Sequence, residues 1–373
     1  MMRGFSLIEL LVSMVMALLL ANGVMEIYLS STTLERDQEA RARMQENGRL
    51  AIHLLTEELR LAGALGCLPT LAAANIHSTL QNTPATLQPA LGIQGWEASS
   101  SAPAEQEVEV ISTSATSHWR STAGGALEET RGVPGSDILR VWYGASTGAS
   151  LDAISPASVL TLRGSGVPVL AEGDVLLLSD CTQADWVQAC HVQSGTPQML
   201  VNSQNPAVCS PGNNPSSFVQ SLAGGEVLRL QSSLFYIGKR GNLATNPPAL
   251  FRRQLQRTAV AGVAEELVEG IASLQVRYGV DLDGSGVVGS GNVDAYVTAD
   301  QVPDWRRVIS VRISLLVQSL EDHLLPAPQA YRFDGVTYDG KPGNGSLPAD
   351  TRLRRAFTTT VTLRARLTQE SDP

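Results

Sequence analysis

With 373 residues, 43% of them hydrophobic and 17% charged, and a formal net charge of −9, the chain can bury one large or two modest cores. An acidic balance argues against a general binder of nucleic acid or other polyanions, which is more often basic. Four cysteines without a C-x-x-C pair, and five scattered histidines, argue against a zinc centre.

The chain opens MMRG and runs into FSLIELLVSMVMALLLANGVM, an apolar stretch from Phe5 to Met25 whose single charge is Glu9. As a helix it spans about 32 Å, roughly the hydrocarbon thickness of a bilayer. Only Arg3 precedes it and no A-x-A site follows, so an ordinary secretory signal fits poorly. A plain signal anchor leaves Glu9 unexplained, because a carboxylate inside a membrane span costs a few kcal/mol unless paired or shallow. Cleavage between Gly4 and Phe5 gives it a partner. The new α-amino group lies one helical turn from Glu9, or within reach of it on a neighbouring subunit, and each charge offsets the other's desolvation. GFSLIELLV resembles the type IV prepilin signature, with Gly before the cut, Phe first in the mature chain and Glu fifth. The resemblance implies cleavage after Gly4 by the prepilin peptidase, N-methylation of Phe5, and docking into a helical filament through Glu9.

Polar residues then enter without a break. Leu34 to Gly66 contains no proline, and Met44, Ala51, Leu55 and Ala62 fall on one stripe, with Leu54, Leu61 and Leu65 beside it. One continuous helix from Phe5 to Gly66, about 93 Å long, is the simplest reading. Gly63 and Gly66 offer its end. Glu57, Glu58 and Arg60 read as a solvated face, and His53 as a surface or half-buried histidine.

From Cys67 onward the texture is strands and long polar loops. Val108 and Val110 alternate with Glu107 and Glu109, and Leu274, Val276, Tyr278 and Val280 with Ser273, Gln275 and Arg277. Ile309, Val311, Ile313, Leu315 and Val317 interleave with Ser310, Arg312 and Ser314, with Gln318 following. Phe357, Thr359, Val361 and Leu363 point inward on a last strand. This is the period of half-buried antiparallel strands, so the fold class expected is α+β, a long helix packed on antiparallel sheet. The divisions are a leader at 1–4, a membrane part at 5–25, an amphipathic continuation at 26–66 and a β-rich globular domain at 67–373. Thr70 to Ala104 and Asn202 to Ser217 read as surface excursions. Cys67, Cys181, Cys190 and Cys209 all follow the span, an even count suited to an oxidising compartment, with three possible pairings.

Three local motifs match patterns that carry chemistry or bind ions. Gly144-Ala145-Ser146-Thr147-Gly148 fits a nucleophile elbow, but the elbow needs a helix after the serine and Pro156 intervenes, so a Gly/Ser turn is preferred. Gly284 to Gly289 fits G-x-G-x-x-G without a following helix to hold a pyrophosphate, and is discarded. Asp281, Asp283 and Ser285 stand at the first, third and fifth positions of a Ca²⁺ loop, with Asn292 at the twelfth in place of Glu. A bound Ca²⁺ would need Asp294 or water, and a glycine-rich hairpin tip is the competing reading. Apart from that ion, no cofactor is expected. Arg352, Arg354, Arg355, Arg364 and Arg366 lack interleaved aromatics for nucleic-acid stacking, and alternation puts Arg364 and Arg366 on an outward face.

Beyond the N-terminus, LRLAGALGC, LLLSDCTQAD, LQVRYGVDLDGSG, WRRVISVRISLLVQS and RLRRAFTTTVTLRARL, in this order, resemble the PilW family of minor type IV pilins. The resemblance implies a subunit that joins other minor pilins, primes the major pilin's assembly in the inner membrane and stays at the pilus tip, with its globular domain periplasmic beforehand and a tip adhesin as a further partner. It sets Cys67 with Cys181 and leaves Cys190 for Cys209. A minor pseudopilin of a type II secretion system, sharing the leader and anchor, is the alternative, and an anchored hydrolase built on Ser146 is the reading from another class.

Overall fold

The computed structural model describes residues 7–68, 76–81, 87, 91–99, 109–111, 119–123, 130–154, 159–164, 170–194, 198–202, 212–214, 222, 224–242, 246–255, 261–283, 290–338 and 350–367. One helix, α1, runs from Leu7 to Leu61. Its 55 residues make it about 82 Å long. No proline interrupts it, and i,i+4 pairs such as Arg41–Asp37 support its exposed middle. The helix stops five residues before Gly66, because Gly63 takes a left-handed φ of 75° and turns the chain away.

The second half of α1 buries Ala40, Met44, Gly48, Ala51, Leu55 and Leu59, each three or four residues from the next, a stripe of the expected period. Ala62 and Leu65 continue it as buried residues, whereas Leu61 is exposed. Burying Leu55 and Leu59 completely contributes roughly 2 kcal/mol each.

Two sheets receive this stripe. The larger has 12 strands and is built on two long ones, Ile138–Ile154 and Glu226–Lys239, paired antiparallel with Leu139 opposite Phe235 and Gly144 opposite Leu230. Within it Ile76–Ser78 pairs parallel with Ala184–Gln188. The smaller sheet has four strands in the order Ala295–Val297, Ile271–Val280, Val308–Gln318 and Arg354–Thr362, all antiparallel. Leu139, Val141 and Phe235 of the first sheet and Leu274, Val276, Ile313 and Leu315 of the second share one core with Met44, Leu55 and Leu59. The class is therefore α+β, as the sequence suggests.

The sheets are joined by the turn before Ile138. Asp137 is buried; its Oδ1 accepts from Ala98 N at 2.9 Å and its Oδ2 from Val276 N at 2.8 Å, so one carboxyl group spans both sheets. Ser136 Oγ accepts from Leu274 N, and Gln275 Nε2 donates to Gly135 O.

Several expectations need correcting. The strands Ile271–Val280 and Val308–Gln318 are buried on both faces, not half-buried. Their second face is covered by a hairpin, Tyr331–Phe333 with Val336–Tyr338, whose Phe333 and Tyr338 pack on Ala272 and Leu316. The segment read as a surface excursion between Thr70 and Ala104 contains Ile93–Ala98, a buried strand paired with Ile138–Val141. In the other such segment, buried Asn213 accepts from Gln188 N and donates to Gln188 O. Gly144 to Gly148 is not a turn. It lies inside the Ile138–Ile154 strand, where the register shifts between Val227 and Leu228 opposite and Gly148 adopts φ 71°. The last strand keeps its predicted faces, with Phe357 and Thr359 partly buried and Val361 and Leu363 buried.

Candidate assembly surface

The sequence pattern of α1 changes at about Leu34, and so does its surroundings. From Leu7 to Leu29 the side chains are exposed, including Leu10, Leu11, Val15, Leu18, Leu19 and Ile27. An 18-residue window there has a mean hydropathy of 2.2 and none of it is buried in the protein, so the helix is long and apolar enough to cross a membrane. Glu9 stands in the first turn, on this bare surface, where the positive end of the helix dipole favours a carboxylate. The two residues it was read against, Gly4 and Phe5, lie outside the described residues.

The other end of α1 is held at several points. Gly48 faces the ring of Phe357, and a Cβ there would fall 2.6 Å from Cε2 and Cζ. Glycine lets the helix backbone lie directly on the last strand. Asn47 Nδ2 donates to Glu269 O at 3.1 Å. Glu58, read as solvated, instead pairs with Arg252 at 3.3 Å and helps push the neighbouring Tyr143 hydroxyl up to about 12, after burial. His53 and Glu57 are exposed as expected. Past the helix, Gly63 N donates to Trp142 O and Gly144 N to Ala64 O. The Cys67–Cys181 disulfide then ties the exit to the first sheet across 114 residues of sequence. Cys190 is buried beside Asn213, and Cys209 lies outside the described residues.

Among the possible calcium ligands, Asp281 and Asp283 come together with Asp294, one oxygen from each lying within 4.8 Å of the others; Ser285 lies outside the described residues. Both oxygens of Asp281 accept backbone donors, from Asp283 N at 3.2 Å and Gly291 N at 2.6 Å, and Asp294 accepts from Leu282 N at 2.6 Å. The carboxylates thereby shape the loop themselves.

The arginines do not form an outward stripe. Arg366 sits on a short helix, α2 (Arg364–Leu367), and its guanidinium donates to Trp305 O, Val308 O and Leu91 O, while burial pulls its pKa down to about 9, still charged at neutral pH. Arg354 is buried and bidentate to Asp350, and Arg352 donates to Ser319 O and Leu320 O. Alternation failed for Arg366 because the strand ends at Thr362 and the chain coils inward.

Sequence reasoning missed Gly48, whose only signal was a glycine inside a helical stripe, and the acidic group at the joint between the sheets. There burial raises Asp137 well above the ordinary carboxylate range, and burial with nearby Asp300 and Asp334 takes Glu97 to about 7, against the Ala299 N–H and Arg277 that lower it. The fully buried Tyr278 hydroxyl has no hydrogen-bond partner among the described residues.

A long helix with a bare apolar half and a second half clamped to antiparallel sheet is the arrangement that the resemblance to pilins implies. Comparison with known proteins agrees. The family described as type IV pilus-assembly protein W, PilW, matches residues 234–365, which run from the middle of the Glu226–Lys239 strand through the whole second sheet into α2. The pilin-like protein PilA3 of Thermus thermophilus is 38% identical over 65 residues, 17% of this chain. The matched stretch spans 28% of that relative's length. No solved structure matches. Over residues 234–365 the chain is thus similar to a type IV pilus-assembly family, in a stretch that spans parts of the first sheet and the whole second sheet.

Proposed function

We propose that the protein is a minor type IV pilin, a non-enzymatic subunit that primes pilus assembly in the inner membrane and stays in a tip complex with other minor pilins. The observation that carries this reading is α1: an exposed apolar half whose single charge up to Met25 is Glu9, continuous with a half gripped by the sheets that the PilW match spans. Exposed apolar surface of that extent needs lipid before assembly and neighbouring helices after it. The prepilin peptidase cuts between Gly4 and Phe5 and the new terminus is methylated. Glu9 then pairs with the terminal ammonium of a neighbour, whose charge offsets its desolvation. The position of Ser146, inside a strand and without a following helix, supports a role without catalysis.

The test is the amount of major pilin sheared from cells lacking the gene, against wild type and a complemented strain. Severe loss restored by complementation is the expected result. Normal piliation in the deletion strain would overturn the priming role.

A further inference from the structure

The last strand, Arg354–Thr362, is an edge of the second sheet; no strand pairs with its outer side among the described residues, and that side is laid out for one. Two contacts fix which backbone groups face outward. Ser319 N donates to Leu353 O and Leu363 N to Ile309 O, so odd-numbered positions turn their hydrogen-bonding groups toward the Val308–Gln318 strand. Arg354, an even position, points the other way, and the carboxamide of Gln329 receives its N–H at 2.8 Å and donates to its carbonyl at 3.2 Å. Gln329 occupies the first register position as a partner strand would. The next even positions, Ala356, Thr358, Thr360 and Thr362, are all exposed.

Two other edges are guarded, and among the described residues this one is not. The opposite edge, Ala295–Val297, is three residues long. The Ala261–Glu269 edge of the first sheet carries two register shifts and the acids Glu265, Glu266 and Glu269. Arg354–Thr362 pairs without a shift, contains no proline or lysine, and places three β-branched threonines at its outward positions. Its exposed charges are flanking arginines, Arg355 on the strand and Arg364 just beyond it, neither in an ion pair among the described residues.

We propose that this edge accepts an extended, acid-flanked strand of a neighbouring subunit by β-augmentation, with Ala356, Thr358 and Thr360 supplying the ladder and Arg355 and Arg364 selecting the flanking carboxylates. The subunit partner rests on the assembly role proposed above; the edge geometry does not. The full chain in detergent should bind a fluorescein-labelled peptide of sequence Glu-Thr-Val-Thr-Val-Thr-Glu. The same peptide N-methylated at alternate residues should not bind. Thr360→Pro removes one outward N–H and leaves the inner ladder whole, and should weaken binding about tenfold. Arg355→Glu with Arg364→Glu, which disturbs no ladder, should weaken it by a similar factor and flatten its salt dependence. Equal binding by wild type, Thr360→Pro and the charge-reversed variant, or no binding by wild type, overturns the proposal. Self-association of the full chain abolished by Thr360→Pro would overturn its choice of partner, assigning the edge to a second copy. In cells whose piliation depends on the gene, full complementation by the Thr360→Pro variant would sink the edge's part in assembly while leaving the priming role standing.

Discussion

Replacing Glu97 with glutamine should flatten the pH dependence of stability. Glu97 sits beside the Asp137 turn that joins the two sheets, and its Oε2 accepts from Ala299 N at 3.4 Å. Burial, with Asp300 and Asp334 nearby, moves its pKa from the ordinary 4.5 to about 7, against the opposing pull of Ala299 N–H and Arg277. A group raised in the folded state gives stability that is complete below the unfolded value of 4.5 and lost as pH climbs through 7. At 1.36 kcal/mol per pH unit the full loss is about 3 kcal/mol, and solvent screening of this half-buried carboxyl reduces it to about 2 kcal/mol. The amide of Glu97→Gln keeps the acceptor for Ala299 N and cannot ionise. Thermal unfolding in detergent at pH 4 and pH 8.5 should therefore show nearly equal midpoints at the lower pH. At the higher pH the variant should melt a few degrees above wild type. Parallel pH profiles for the two proteins would refute the reasoning, because the groups that the substitution also touches, Asp137 above all, lose a neighbouring charge that raises them and so shift in the same sense.

Glu9→Ala should leave processing at Gly4 intact and lower recovery of the subunit in sheared filaments, measured by immunoblot; unchanged recovery would remove the docking role. Gly48→Ala should destabilise by about 1–2 kcal/mol in the wild-type background, where the new Cβ meets Phe357, and stabilise by up to about 1 kcal/mol in Phe357→Ala, where helix propensity alone remains. A double-mutant cycle without that sign change would show that the contact does not matter. Tyr278→Phe removes a buried hydroxyl with no partner among the described residues and should raise stability by about 1 kcal/mol, read from the shift in melting temperature. Cys67→Ser opens a link across 114 residues and should cost up to about 4 kcal/mol, with thiol reductant lowering the wild-type midpoint by at least as much because it also opens the bond of Cys190.

The helix and the second sheet were legible because their residues repeat at the period of their structure. Met44, Ala51 and Leu55 recur at helical spacing, and Val311, Ile313 and Leu315 at strand spacing, so local pattern and final burial coincide. The same rule assigned Ser310 and Ser314 to solvent, and failed there. Their faces are buried by a hairpin some twenty residues later in sequence, and Ser314 Oγ finds Thr358 while Ser310 Oγ finds Tyr296, which no local pattern encodes. Ile93–Ala98 was hidden by its two glycine neighbours, Gly92 and Gly95. Gly95 is required because the Tyr278 ring of the other sheet lies against it, with Cζ 2.5 Å from where a Cβ would stand. Glu9, by contrast, stood out because an ionisable group inside an apolar run is improbable without a task.

The attachments of α1 also say how the two halves of the molecule communicate. One group lies at Asn47 and Gly48, on Glu269 and Phe357; the other lies at Gly63, Ala64 and Cys67, on Trp142, Gly144 and Cys181. The 15 residues between Gly48 and Gly63 put these groups about 22 Å apart along the chain. A rod fixed at two separated places resists tilting, whereas one fixed at a single place pivots. With Leu55 and Leu59 buried between them, any tilt of the apolar half must break hydrogen bonds at one end or open the core at the other. The orientation of the globular domain, and with it the direction in which the Arg354–Thr362 edge faces, is thereby set by the axis of the helix that carries Glu9.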